Sequence, residues 1–227
     1  MDRFVCVRIV QGWGLDLTLF QYDWRQTWQV FLMNADRDIY GRYSAHHSDD
    51  LEALRKAMEG ALELHARYPA NKGELAGKRG IPLPWKRPEE MPALQARGMP
   101  RPVTGRDGCI HCHNIQEGAT KSYAALGQPV PARISAPYPT TQRVGFMLDT
   151  AERATVADVQ TGTPAAASGM KVGDRLLRLG GQPILSAADA QWVLWSGPDA
   201  GILKAQVDRG GRTMELEMSL PEGWRSK

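Results

Sequence analysis

The chain has 227 residues, 42% of them hydrophobic and seven of them Trp, which is enough apolar material for one large domain or two small ones. Its formal net charge is +3, and the basic excess is local: residues 67–107 hold nine Lys or Arg against four Asp or Glu. With no aromatic interleaving this stretch reads as a solvated connector and not a nucleic-acid arm; three cysteines exclude a disulfide-stapled miniprotein, and no apolar run reaches membrane-spanning length.

Residues 1–68 read as strands closed by a helix. Phe4, Val5, Val7, Ile9 and Val10 predict a short apolar strand, with Cys6 in it as a small buried hydrophobe. MDRFVCVRIV enters this pattern directly and shows none of the three regions of a signal peptide. Residues 30–33, the turn-forming Asn34-Ala35-Asp36 and residues 39–43 predict an antiparallel hairpin. Asp49 and Glu52 stand at capping-box spacing, and Leu51, Leu54, Met58, Ala61 and Leu62 share one stripe, so a helix follows and Pro69 ends it. His46 and His47 beside Asp49 and Asp50 are expected to serve solvation and helix capping. Strand, hairpin and closing helix is the order of the C-terminal half of a thioredoxin-like fold, whose last two strands residues 30–43 resemble. The half that would carry a redox pair is absent and Cys6 has no second thiol near it, so the segment reads as structural.

Residues 69–143 hold most of the chain's prolines and read as extended chain, ordered where it lies on its neighbours. Inside lies GCIHCHN. Cys109 and Cys112 at C-x-x-C spacing, followed by His113, form the attachment pattern of a c-type haem: two thiols on one turn reach the vinyl groups and the next imidazole ligates the iron. For the sixth ligand the candidates are Met99, Met147 and His65, with His46 and His47 behind them. Zinc is an alternative occupant, needing a further ligand such as His65, His46 or His47, and a dithiol/disulfide pair or a vacant motif are the others. Residues 117–126 predict a short helix.

Residues 144–224 are the clearest domain. A strand over 144–148 opened by a glycine, a second over 155–159, a short Pro-initiated helix from Thr163, a strand over 172–179 ending at Gly180-Gly181, a helix capped by Ser186 and a Gly210-Gly211 hairpin follow in order. Met214, Leu216, Met218 and Leu220 alternate onto one face of the last strand. The stretches VGF, TPAAASGMKVGDRLLRLGGQPI and SAADAQWVL resemble a bacterial PDZ domain of the kind attached to periplasmic HtrA-like proteases. That likeness implies a C-terminal or extended peptide added as a strand beside Val144, Gly145, Phe146 and Met147, the N–H groups of Gly145, Phe146 and Met147 receiving a terminal carboxylate and Ala190, Gln191 and Leu194 shaping the side-chain pocket.

With ELHARYPANKGELAGKRG, CIHCHN and PEGWR, the whole chain resembles thioredoxin-like/PDZ proteins that carry a C-x-x-C-H insert between the two domains. The expected architecture is α+β: a partial thioredoxin-like domain at 1–68, a Pro-rich haem-motif segment at 69–143 and a PDZ domain at 144–224. The expected function is electron transfer or redox sensing through haem c, with a redox partner protein and a peptide docked at the PDZ groove. The alternative is a non-catalytic adaptor whose motif is vacant, zinc-bound or a dithiol. No G-x-S-x-G, Walker loop or H-E-x-x-H points to a hydrolase. Covalent haem implies a periplasmic chain preceded by a targeting segment; without one the expected location is cytoplasmic.

Overall fold

The computed structural model describes residues 3–226 except 27, 45–50, 97–109, 137, 150 and 153, and except the side chains of Cys112 and Ser226. In chain order come the strands β1 (Gln29–Met33) and β2 (Ile39–Ser44) and the helices α1 (Leu51–Ala66), α2 (Lys72–Leu75), α3 (Pro92–Gln95), α4 (Cys112–Ala125) and α5 (Ala132–Ser135). Then follow β3 (Phe146–Leu148), β4 (Val156–Val159), α6 (Pro164–Ala167), β5 (Arg175–Leu179), β6 (Gln182–Pro183), α7 (Ala187–Ser196), β7 (Gly201–Arg209) and β8 (Arg212–Leu220). The strands form two hairpins, β1-β2 and β3-β4, and a four-stranded sheet of order β6-β5-β7-β8.

Two compact units result, and neither is contiguous in sequence. One joins Met1–Arg25 with Gly80–Pro137; the other joins Gln26–Arg79 with Tyr138–Lys227. The first thus joins the start of the chain to the middle of the Pro-rich region, and the second takes both ends of that region and fuses the predicted N-terminal hairpin and helix to the predicted C-terminal domain. A two-stranded hairpin with one helix buries too little apolar surface to stand alone, and a larger partner supplies the missing wall.

The first unit is built around Leu15, Leu17, Trp85, Met91, Leu94, Ile110, Ile115, Ala119 and Tyr123. Ile115, Ala119 and Tyr123 recur at i, i+4 and i+8, so α4 presents one stripe to this core. Gly118 on the same helix lets Leu94 approach: a Cβ there would stand 2.9 Å from Leu94 Cγ. Gln21 ties the two chain segments, donating to the Leu17 and Ile81 carbonyls at 2.7 Å each and accepting the Ile81 N–H at 2.9 Å. Helix α4 begins at Cys112, five residues before the predicted start.

Two expectations for the N-terminus are corrected here. Residues 5–11 adopt no strand, and Val5 and Val7 are 94% and 82% exposed. Cys6 is exposed as well and not a buried hydrophobe. The alternation of VCVRIV suits a strand, but a strand needs a hydrogen-bonding edge, and the first unit contains no strand among its described residues.

In the second unit β1 and β2 pair as the sequence predicts, with Val30 opposite Tyr43 and Leu32 opposite Gly41. Helix α1 buries Ala53, Ala57, Gly60, Ala61 and Leu64, whereas Leu51 is exposed. The buried stripe shares Ala61 with the predicted one of Leu51, Leu54, Met58, Ala61 and Leu62 but is rotated from the rest of it, because small residues let the helix axis sit close to the hairpin. The C-terminal elements follow the predicted order. Ser186 caps α7 by accepting the Ala188 N–H at 3.1 Å, and Leu216, Met218 and Leu220 turn inward on β8.

Candidate functional site

The strand predicted to receive a peptide starts two residues late. Residues Thr141–Val144 form a single 3-10 turn, Gly145 follows at φ +97°, and β3 runs from Phe146. Gly145 is required there twice over. L side chains disfavour that φ, and a Cβ would lie 1.9 Å from Thr163 Oγ1.

Among the described residues strand β3 pairs on one side only, with β4. Its orientation follows from two bonds: the Gly145 carbonyl accepts from Gln160 N–H at 2.8 Å and the Asp149 N–H donates to the Thr155 carbonyl at 2.7 Å. Backbone groups alternate along a strand, so residues 145, 147 and 149 face β4 while Phe146 and Leu148 direct N–H and C=O to the opposite edge. The expected donors were Gly145, Phe146 and Met147. The Gly145 N–H is instead held by the Thr141 and Gln142 carbonyls at 3.2 and 3.0 Å, which leaves Phe146 and Leu148 as the edge donors.

The side chains expected to line the pocket are placed less openly. Val144, Phe146 and Ala190 are 0% exposed and Leu194 is 1% exposed. Met147 is accessible at 38%, and Gln191 is half-buried. The turn Thr141–Val144 packs on α7, so the helix and the strand entry are neighbours and these apolar side chains are closed to solvent.

Helix α7 carries a buried ionic cluster. Asp189 Oδ1 accepts the Arg42 N–H at 3.0 Å and Lys78 Nζ at 2.8 Å, while Oδ2 accepts the Leu185 N–H at 3.0 Å. Both Asp189 and Lys78 are fully buried. Arg42 donates through Nη2 to the Lys78 carbonyl at 2.7 Å, and its guanidinium lies 3.8 Å over the Trp192 ring. Trp192 Nε1 donates to the Gly77 carbonyl at 2.9 Å, and Ser186 Oγ donates to the Arg42 carbonyl at 2.5 Å. Burial pushes the Arg42 guanidinium down to about 10 and pushes the Lys78 ammonium below its ordinary value, Asp189 opposing both. At the other end of α7, Arg225 donates to the Gly197 carbonyl at 2.7 Å and to the Trp195 carbonyl at 3.2 Å. Sequence reasoning passed over this cluster. Its signal was a carboxylate inside the otherwise apolar AADAQWVLW, which has to find a cation once that helix is buried.

Of the haem motif, Cys109 and Met99 lie outside the described residues, as do His46 and His47. Ile110 and Ile115 are buried on the inner side of the turn, and His111 and His113 are exposed with parallel rings 5.8 Å apart. The exposed His113 ring makes no hydrogen bond among the described residues. Met147 and His65 belong to the second unit, and His65 Nδ1 shares a 2.7 Å hydrogen bond with the Tyr40 hydroxyl. The structure assigns neither as a sixth ligand. Among the described residues no helix is long and apolar enough to cross a membrane.

A family model described as "PDZ domain" matches residues 137–220. The C-terminal part is a PDZ domain. Over 75 residues the chain is 36% identical to a protein named "Probable periplasmic serine endoprotease DegP-like" from Pseudomonas putida, covering 33% of this chain and 16% of that relative. A protein of the same name from Pseudomonas savastanoi pv. phaseolicola is 35% identical over 75 residues, with the same coverage. The chain thus spans about one sixth of the length of the curated relatives it matches. Among solved structures, the serine endoprotease from Yersinia pestis is 22% identical with a TM-score of 0.28, covering 30% of this chain and 25% of that one. An HtrA3 PDZ domain bound to the phage-derived ligand FGRWV is 18% identical with a TM-score of 0.28, covering 31% of this chain and 65% of that one.

Proposed function

We propose that the PDZ domain docks an extended segment of a partner protein along the outer edge of β3, and that the chain carries electrons through a haem c on Cys109 and Cys112. The docking half is carried by one observation, the unpaired edge of β3 with the Phe146 and Leu148 backbone groups directed along it. An added strand satisfies such groups and gains affinity from main-chain hydrogen bonds, with alternate side chains reaching the rim. Met147 and Gln191 supply that rim. Engagement of the Gly145 N–H within its own turn favours an extended segment over capture of a terminal carboxylate.

The haem half is supported by the C-x-x-C-H spacing and by the exposed His113 ring on the first turn of α4. Thioethers at Cys109 and Cys112 and the His113 imidazole would hold the group, which supplies a one-electron iron couple when bound. Around it, Ile110 and Ile115 anchor the turn to the core of the first unit. The periplasmic names of the relatives agree with the compartment in which such attachment takes place. The hairpin and helix of residues 29–66, read as thioredoxin-like, have a structural part in this proposal. The adaptor reading, with the motif vacant, zinc-bound or a dithiol, is kept because the β3 edge stands independently of the motif.

Expression with a haem-attachment system should give a Soret band that survives acid-acetone extraction, and metal analysis should find iron. A colourless product, or zinc in place of iron, overturns the haem half and leaves the adaptor. For docking, peptides selected from a displayed library should lose binding when their alternate amides are N-methylated. Binding that is indifferent to N-methylation would refute strand addition.

A further inference from the structure

We propose that this PDZ groove selects an extended ligand with a small residue, Gly or Ala, over its apolar pocket, and that Asp189, Lys78 and Arg42 are positioning residues that keep the pocket closed from behind α7. The inference rests on the docking reading above and names the ligand class of that site.

Helix geometry separates the two faces of α7. Asp189 and Trp192 form one stripe; Ala190 and Leu194 form another, rotated by roughly 150° at 100° per residue. The first stripe is fastened to β2 and to the 3-10 turn Ala76–Lys78 by the Arg42, Lys78 and Gly77 bonds. The second stripe belongs to the predicted pocket, and its members are as fully buried as Val144 and Phe146 at the strand entry. A large ligand side chain would have to push α7 away from β3, since protein interiors leave few voids of side-chain size. Behind the helix, that retreat meets the Arg42 guanidinium 3.8 Å from the Trp192 ring and an Asp189 carboxylate already holding three donors. Each of these buried bonds would have to break without water to replace it. Gly41 tightens the same contact, since a Cβ there would stand 2.7 Å from Leu185 Cδ1 and 3.0 Å from Asp189 Oδ2. Strand β2 and the turn Ala76–Lys78 thus act as a backstop, and the pocket admits only ligands that need little depth.

The test is fluorescence polarisation on the full chain with a fluorescein-labelled host hexapeptide whose pocket residue is Gly, Ala, Val, Leu or Phe. Gly and Ala peptides should bind about tenfold tighter than Val, Leu or Phe peptides, the scale of pocket discrimination between apolar side chains. In the doubly substituted Lys78→Met/Asp189→Leu chain, checked for fold by circular dichroism, the preference should shrink to about twofold or reverse. Trp192→Phe, which keeps the ring and removes the bond to the Gly77 carbonyl, should shift it in the same direction. Tighter binding of Val, Leu or Phe peptides by the parent chain overturns the small-residue preference. An unchanged ranking in the folded variants overturns the positioning role. Absence of binding by every peptide overturns the docking reading itself, and this inference with it.

Discussion

Replacing Asp189 by Asn keeps the shape of the side chain and removes its charge. Two cations, Lys78 and Arg42, then remain in a site where both are fully or almost fully buried. Losing one member of a buried ion pair costs about 3–5 kcal/mol, a large part of the roughly 5–15 kcal/mol that a domain has. With a urea dependence of about 1–3 kcal/mol per molar, the unfolding midpoint should fall by roughly 1–5 M. The loss should also depend on pH. Lys78 is already held below its ordinary value by burial, with Asp189 opposing. Without the carboxylate it falls further, so between the folded and unfolded values the unfolded chain binds the extra proton and stability rises with pH. Arg42, pushed down to about 10 by burial, acts in the same sense. The deficit of Asp189→Asn should therefore be smaller at about pH 9.5 than at pH 7. Adding Lys78→Met should recover part of it at pH 7. Urea titrations followed by circular dichroism at both pH values decide the matter: a deficit below about 0.5 kcal/mol, or one that does not change with pH, would refute the account of the cluster.

Gly145→Ala combines an unfavourable φ with a close contact to Thr163, so thermal unfolding should show a loss of about 2–5 kcal/mol; a shift within about 0.5 kcal/mol would mean the turn relaxes freely. Met147→Asp changes an accessible rim residue, so it should weaken peptide binding while leaving the unfolding midpoint within about 0.5 kcal/mol of the parent. Burial alone would raise the Asp174 carboxyl, but the Arg209 guanidinium at 2.7 Å and the Lys171 N–H at 2.9 Å outweigh it and hold the carboxyl below the ordinary carboxylate range. Its stabilisation is therefore present above the unfolded value and lost as pH falls through the folded one. Arg209→Met should lower stability at neutral pH and flatten the acid limb, and an unaltered acid limb in a pH series would count against this pairing.

The elements of the C-terminal domain could be read from local chemistry. Gly145, Gly180-Gly181 and Gly210-Gly211 mark turns that other residues resist, Thr163 and Ser186 mark helix starts, and Leu216, Met218 and Leu220 mark a face. Each of these signals acts over a few residues, which is why order and register came out nearly as predicted. The burial of Val144, Phe146, Ala190 and Leu194 was not foreseen. Closure depends on Arg42 and Lys78, which lie 147 and 111 residues away from Asp189.

By itself, the sequence determined the C-x-x-C-H spacing, the PDZ-like succession of strands and turns, and the hairpin of residues 29–44, all of them written in adjacent residues. Only the tertiary structure decided that Phe4–Val10 is no strand, which residues of α1 are buried, which β3 amides face outward, and that residues 26–79 share a unit with the PDZ domain. An apolar alternation or an isolated carboxylate has no assigned partner until the chain has folded. Asp189 becomes the centre of a buried cluster only because β2 and Lys78 close over it.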